Sequence, residues 1–142
     1  MIKREFLIRN LDETESFGLR LAEEAEPGDV IALIGDLGTG KTALTKAIAK
    51  GLGVERNVTS PTFTIVQEYT EGRIPLFHFD VYRLADSEEM FQIGAEEYFY
   101  EKGGLCVIEW ADIVSDILPE NTQYIYIEYG VKEGERIYRC TF

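Results

Sequence analysis

The sequence predicts an α/β sandwich on a mixed, mainly parallel sheet that ends in an antiparallel C-terminal hairpin, and three observations carry that expectation. An apolar run, Asp29 to Ile34, enters a glycine-rich turn, Gly35-Asp36-Leu37-Gly38-Thr39-Gly40-Lys41-Thr42, and a helical pattern leaves it. A nearly all-apolar run, Leu105-Cys106-Val107-Ile108-Glu109, reads as a strand covered on both faces. Two alternating runs, Gln123 to Tyr129 and Arg136 to Phe142, joined through Glu133-Gly134, read as a closing hairpin.

The remaining elements follow in order. Met1 to Ile8 alternates like a strand and lacks the continuous apolar core of a signal peptide. Asp12 is the expected cap of a helix through about Ala25, with Phe17, Leu21 and Ala25 as its apolar stripe, stopped by Pro27-Gly28. After the glycine-rich turn, the helix Thr42 to Leu52 places Leu44, Ile48 and Leu52 on one face, and Gly53 caps it. Thr59-Ser60-Pro61-Thr62 then opens an extended run, Phe63 to Tyr69, and Glu71-Gly72 turns it into a second run, Leu76 to Tyr82, as a hairpin. Asp86-Ser87-Glu88-Glu89 has the composition of a helix start, so two short helices cover Ser87 to Tyr100 around Gly94, and Gly103-Gly104 breaks them. Another short helix occupies Ala111 to Ile117, before Pro119. No repeat, linker or low-complexity tract divides residues 1–142, which read as a single domain.

Composition narrows the partners. With 14 Lys and Arg against 26 Asp and Glu, the formal net charge is −12. Protein grips nucleic acid largely by neutralising phosphates with Lys and Arg, so this charge argues against unaided binding of RNA or DNA and leaves two readings, a basic protein surface as partner or simple solubility. The two cysteines, Cys106 and Cys140, have no zinc or redox spacing, which points to a reducing cytoplasm. No run reaches membrane-spanning length.

The chemistry centres on Gly35 to Thr42, which satisfies G-x-x-x-x-G-K-[ST]. Its backbone N–H groups can converge on phosphates, Lys41 can reach the β- and γ-phosphates, and the Thr42 hydroxyl can ligate Mg²⁺. The helix that follows adds the positive end of its dipole. A hydrolase of this type also needs an acid at the end of a core strand, and Asp80 and Glu109 both qualify. Glu109 ends the more apolar run and is the better neighbour for the central strand. His78, the only histidine, is expected as a hydrogen-bonded imidazole packed beside Phe77 and Phe79; Trp110 is either core or a site residue beside Glu109. Thr59 to Thr62 is either a plain strand entry or a switch that orders on the γ-phosphate and Mg²⁺. An Asn-Lys-x-Asp segment, which would read guanine, is missing, and so is the arginine-rich lid of a small-molecule kinase.

Four segments together, Gly35 to Thr42, Ser60-Pro61-Thr62-Phe63, His78-Phe79-Asp80-Val81-Tyr82-Arg83-Leu84 and Ile108-Glu109-Trp110, resemble the bacterial TsaE (YjeE) family, small ATPases of tRNA threonylcarbamoyladenosine biosynthesis. The resemblance covers nearly the whole chain. It implies a P-loop NTPase-like three-layer sandwich and a weak ATPase that supports a TsaB–TsaD heterodimer, which itself modifies the adenosine beside the anticodon, so that tRNA is met only through the complex. It also implies ATP and Mg²⁺ as cofactors. Asp36, Leu37, Gly38, Thr39, Gly40, Lys41 and Thr42 then form the nucleotide loop, Thr42 and Glu109 the metal site, and Asp80 a neighbour of the γ-phosphate. Lys41, Asp80 and Glu109 carry the catalysis. Leu11 falls where the family's N-terminal segment passes the adenine, and Thr14 and Arg136 match the family's helix-start threonine and its last-hairpin arginine. Two other functions stay open: an ATP-gated binding module with incidental hydrolysis, and a small-molecule kinase.

Overall fold

The computed structural model describes residues 1–61 and 64–142. Its strands are β1 (Arg4–Ile8), β2 (Val30–Gly35), β3 (Val66–Tyr69), β4 (Leu76–Asp80), β5 (Leu105–Glu109), β6 (Gln123–Tyr129) and β7 (Arg136–Cys140). Its α-helices are α1 (Leu11–Glu24), α2 (Lys41–Leu52), α3 (Ser87–Gln92) and α4 (Ala95–Tyr100), and Ala111–Ile117 is a 3₁₀ segment. All the strands form one sheet in the order β1-β7-β6-β2-β5-β4-β3. β6, β2, β5 and β4 are mutually parallel at its centre, while β3 and β7 run against them. β1, antiparallel to β7, shares the direction of the central four, so the sheet is mixed and mainly parallel as expected. β6 and β7 form the expected closing hairpin.

Alternation along the strands divides the core into two layers. Ile31 and Leu33 of β2 pack with Leu44 and Ile48 of α2 and Leu21 of α1 on one face. Val30 and Ala32 pack with Met90 of α3, Tyr98 of α4 and Val114 on the other. The result is the expected three-layer sandwich, with β5 buried along its whole length.

Three boundaries differ from the sequence reading. Asn10, not Asp12, caps α1: its side chain accepts from the Glu13 N–H at 2.9 Å, and Glu13 Oε1 accepts in return from the Arg9 N–H at 2.8 Å. Asn and Asp cap equally well, but the Glu13 N–H finds its acceptor in Asn10, and the Glu13 carboxylate holds the N–H of Arg9 just before the cap, which favours the earlier start. The strand expected from Phe63 begins only at Val66, because Ile65 has a left-handed backbone (φ 69°) that a strand cannot continue through. Thr62 and Phe63, named in the sequence reading, lie outside the described residues. The run expected through Tyr82 stops pairing as a strand at Asp80.

Candidate active site at the carboxyl ends of the parallel strands

Strand parity aims the acids. Leu76 of β4 packs under α1 and α2 while Phe77 and Phe79 face the other layer, so His78 and Asp80 face α2. Leu105 and Val107 of β5 fix the same orientation for Glu109. Register sets Asp80 beside Glu109 and Glu109 beside Leu33, so three neighbouring parallel strands end together under the start of α2. Carboxyl ends of parallel strands are where open α/β sheets hold ligands. A cavity of about 490 Å³ lies there, lined by Gly38, Gly40, Lys41, Thr42, Asp80 and Glu109 among others.

The glycine-rich turn is shaped for close approach. Gly38 and Gly40 have positive φ (81° and 99°), which glycine adopts without the Cβ penalty. The C-terminal hairpin holds the turn from outside: Tyr129 donates its hydroxyl to the Leu37 carbonyl at 2.9 Å, and Arg136 Nε donates to the Thr39 carbonyl at 3.0 Å. Arg136, matched in the sequence only to the family's last-hairpin arginine, thus sits against the turn.

Lys41 lies folded inward. Its Nζ donates to the carbonyls of Gly35 at 2.6 Å and Asp36 at 2.9 Å, and sits 4.0 Å from the centre of the Trp110 ring. Burial lowers its pKa below the ordinary lysine value, and the carboxylates of Glu109, Asp80, Asp36 and Asp112 offset only part of that. Thr42 donates its hydroxyl to Glu109 Oε1 at 2.9 Å, and His78 Nε2 lies 2.5 Å from Glu109 Oε2. Asp80 accepts from the Ser60 hydroxyl at 2.5 Å and from the Tyr82 N–H at 3.1 Å.

Trp110, directly after Glu109, holds a left-handed backbone (φ 62°) and packs its ring 4.7 Å from that of Tyr82. Such strain on a bulky residue costs about 1–3 kcal/mol and persists only where the surroundings impose it. It sets the indole over Lys41 at the cavity wall, which sequence alone left undecided.

Not every candidate residue converges. Asp36 and Thr39 line a separate, smaller hollow of about 210 Å³ beside β6; the Thr39 hydroxyl is spent on the Asp36 carbonyl at 2.8 Å. Leu11, 74% exposed, borders a cavity of about 220 Å³ with Thr14 and Ala43. Ala43 also lines the main cavity, so the two adjoin across the first turn of α2. The contact missed by sequence reasoning is that of His78 with Glu109. Parity could have placed both on one face, but the pairing register is not written in either segment.

The donor set suits a hard cation. Thr42 and Glu109 offer oxygen ligands within hydrogen-bond distance of each other, with a second carboxylate on the next strand. Among the described residues no group of three or more His, Cys, Asp or Glu side chains could hold a metal ion. A cation that takes only one or two protein carboxylates, its other ligands being water or phosphate, is the kind that such a pair of oxygen donors could hold.

Fold and site define a three-layer α/β protein whose polar centre gathers round a glycine-rich turn at the carboxyl ends of the central strands. Comparison with known proteins places it further: residues 8–138 match the family of the threonylcarbamoyl adenosine biosynthesis protein TsaE. The chain belongs to the TsaE family. It is 47% identical over 119 residues, 84% of this chain and 73% of the relative, to the tRNA threonylcarbamoyladenosine biosynthesis protein TsaE of Bacillus subtilis. It is 46% identical over 128 residues to that of Treponema pallidum, covering 90% of this chain and 93% of the relative. Its fold is similar to the crystal structure of Bacillus subtilis YdiB, with a TM-score of 0.84 at 39% identity over 99% of this chain and 86% of the other.

Proposed function

We propose that residues 1–142 form one cytoplasmic ATPase domain that binds and slowly hydrolyses ATP in support of a TsaB–TsaD heterodimer during threonylcarbamoyl transfer to tRNA. The observation that carries this reading is the meeting of Lys41, Thr42, Asp80 and Glu109 around one cavity at the head of α2. Lys41 exchanges its two carbonyl acceptors for β- and γ-phosphate oxygens, a better match for a buried ammonium. The amides of the turn and of the first turn of α2 cradle the remaining oxygens. Thr42 and Glu109 would hold Mg²⁺, which supplies charge neutralisation for the phosphates when bound. Asp80, already polarising the Ser60 hydroxyl and the Tyr82 N–H, stands beside the γ-phosphate.

Hydrolysis by the isolated chain is slow in this reading. Arg136 is committed to carbonyls of the turn, so it does not reach across the cavity as a finger, a device worth about 10³–10⁵ in rate. A partner completes the site. The net charge of −12 suits a chain that engages proteins and leaves the tRNA to them. Lys41→Ala and Glu109→Ala are expected to abolish steady-state ATP hydrolysis while the circular dichroism spectrum is retained. Normal turnover in purified Glu109→Ala protein would contradict the assignment. Pull-down of the heterodimer with and without ATP tests the partner.

The hydrogen bond from Ser60 to Asp80 favours a second reading, an ATP-gated binding module, because it ties the segment after α2 to an acid of the site. Repeated rounds of tRNA modification sustained by a non-hydrolysable ATP analogue would support the gate and remove the need for hydrolysis.

A further inference from the structure

We propose that His78 is a positioning residue for Glu109, holding its carboxylate in the orientation that presents Oε1 to Thr42 and to the metal. The inference rests on the reading of Glu109 as a Mg²⁺ ligand and adds the group that aims it. Glu109 is 2% exposed, and its two oxygens have different principal donors: the Thr42 hydroxyl at 2.9 Å from Oε1 and His78 Nε2 at 2.5 Å from Oε2. A carboxylate only accepts, so the hydrogen in the second contact sits on His78 Nε2. His78 Nδ1 is buried and has no hydrogen-bond partner among the described residues. In the neutral imidazole, hydrogen on Nε2 leaves Nδ1 as an acceptor, so the contact with Glu109 is what assigns the tautomer.

The imidazole is itself enclosed. His78 is fully buried in the interior of β4, paired with Gln67 of β3 on one side and Val107 of β5 on the other. An apolar side chain would fill the same volume, but it would leave Glu109 Oε2 without its donor and free the carboxylate to turn away from Thr42. Partners of this kind behind a ligating group typically change metal affinity 10- to 100-fold.

Because His78 is the only histidine, one nitrogen-15 spectrum of the metal-free protein reads its tautomer directly. The expected result is hydrogen on Nε2; an Nε2 without hydrogen would overturn the proposal. The second measurement titrates MgCl₂ at a saturating, non-hydrolysable ATP analogue and follows the fluorescence of Trp110, the only tryptophan, at the cavity wall. His78→Phe is expected to weaken Mg²⁺ half-saturation about 10- to 100-fold. His78→Gln keeps a donor near the Nε2 position and is expected to recover most of that loss, with metal-free nucleotide binding unchanged in both variants. An unchanged Mg²⁺ requirement in folded His78→Phe protein, or equal losses in both variants, would overturn the positioning role. Should His78→Phe not fold, the Gln variant and the tautomer carry the test. Absence of any Mg²⁺-dependent signal in the unaltered protein would instead strike the ATPase reading, and the metal-free tautomer would still decide the position of His78.

Discussion

Replacing Gly35 by alanine tests whether the first glycine of the turn is present for room. An added Cβ would stand 2.6 Å from the Ile127 carbonyl oxygen and 2.8 Å from Thr39 Oγ1, against carbon–oxygen contacts of about 3.3 Å or more. Neither neighbour yields freely. Ile127 lies directly opposite Gly35 in the parallel pairing of β2 and β6, and Thr39 is held by its bond to the Asp36 carbonyl. Either the strands part or the turn gives up Thr39. Overpacking of this kind costs about 1–3 kcal/mol, and the lower backbone entropy of alanine returns about 0.5–1, so a net loss of about 1–2 kcal/mol is expected. Urea denaturation followed at Trp110 reads this as a midpoint lowered by about 0.5–1 M at an unchanged slope. The cause is isolated by a cycle with Thr39→Ala, which removes one of the two obstacles. Thr39→Ala alone is expected to cost about 1 kcal/mol for its hydrogen bond, and the double variant to lose less than the sum. A Gly35→Ala protein within about 0.5 kcal/mol of the parent, or strict additivity in the cycle, would refute the packing argument.

Two further outcomes follow from the same structure. Asn10→Ala is expected to cost about 1 kcal/mol of stability in thermal or urea unfolding, and Asp12→Ala less than half of that, because Asn10 is the residue that caps α1. Burial pushes the Cys106 thiol up to about 12 and the Cys140 thiol up to about 11. Both should resist a thiol reagent such as dithionitrobenzoate at pH 8 and react as two equivalents in denaturant. The sign of the accompanying pH effect is set by linkage. Unfolded-state thiols ionise from about pH 9 while the native ones stay protonated, so stability is full below that value and is lost as pH rises toward 11–12. For Cys106 the slope is about 1.4 kcal/mol per pH unit. A flat unfolding free energy between pH 9 and 11 would contradict its burial.

Much of the sheet was readable because its signals are local. The apolar run Leu105 to Glu109 announced a strand covered on both faces, and β5 is buried at every residue, between β2 and β4. Gly53 announced the end of α2 and caps it with a left-handed backbone, its N–H bonded to the carbonyls of Ala49 and Lys50. Cap choice was harder, since Asn10 and Asp12 carry equivalent side chains two residues apart. The bonds of Glu13 to Asn10 and to Arg9 distinguish them, and these depend on how β1 delivers the chain to α1.

The site was legible to the same depth and no further. Glycine spacing located the turn, and strand-end acids located Asp80 and Glu109. What joins them is non-local: register sets these two residues side by side from segments 29 positions apart, and parity turns His78 toward the same layer. Trp110 carries a conformation that tryptophan rarely adopts, so no propensity could announce it. Its left-handed turn is imposed where β5 must end and the chain must bend immediately into the 3₁₀ segment at Ala111, which leaves the indole over Lys41. Thus the residues that hold charge at this site declare themselves by type and spacing, whereas those that aim the charge, His78 and Trp110, are defined only by the contacts that the completed sheet creates.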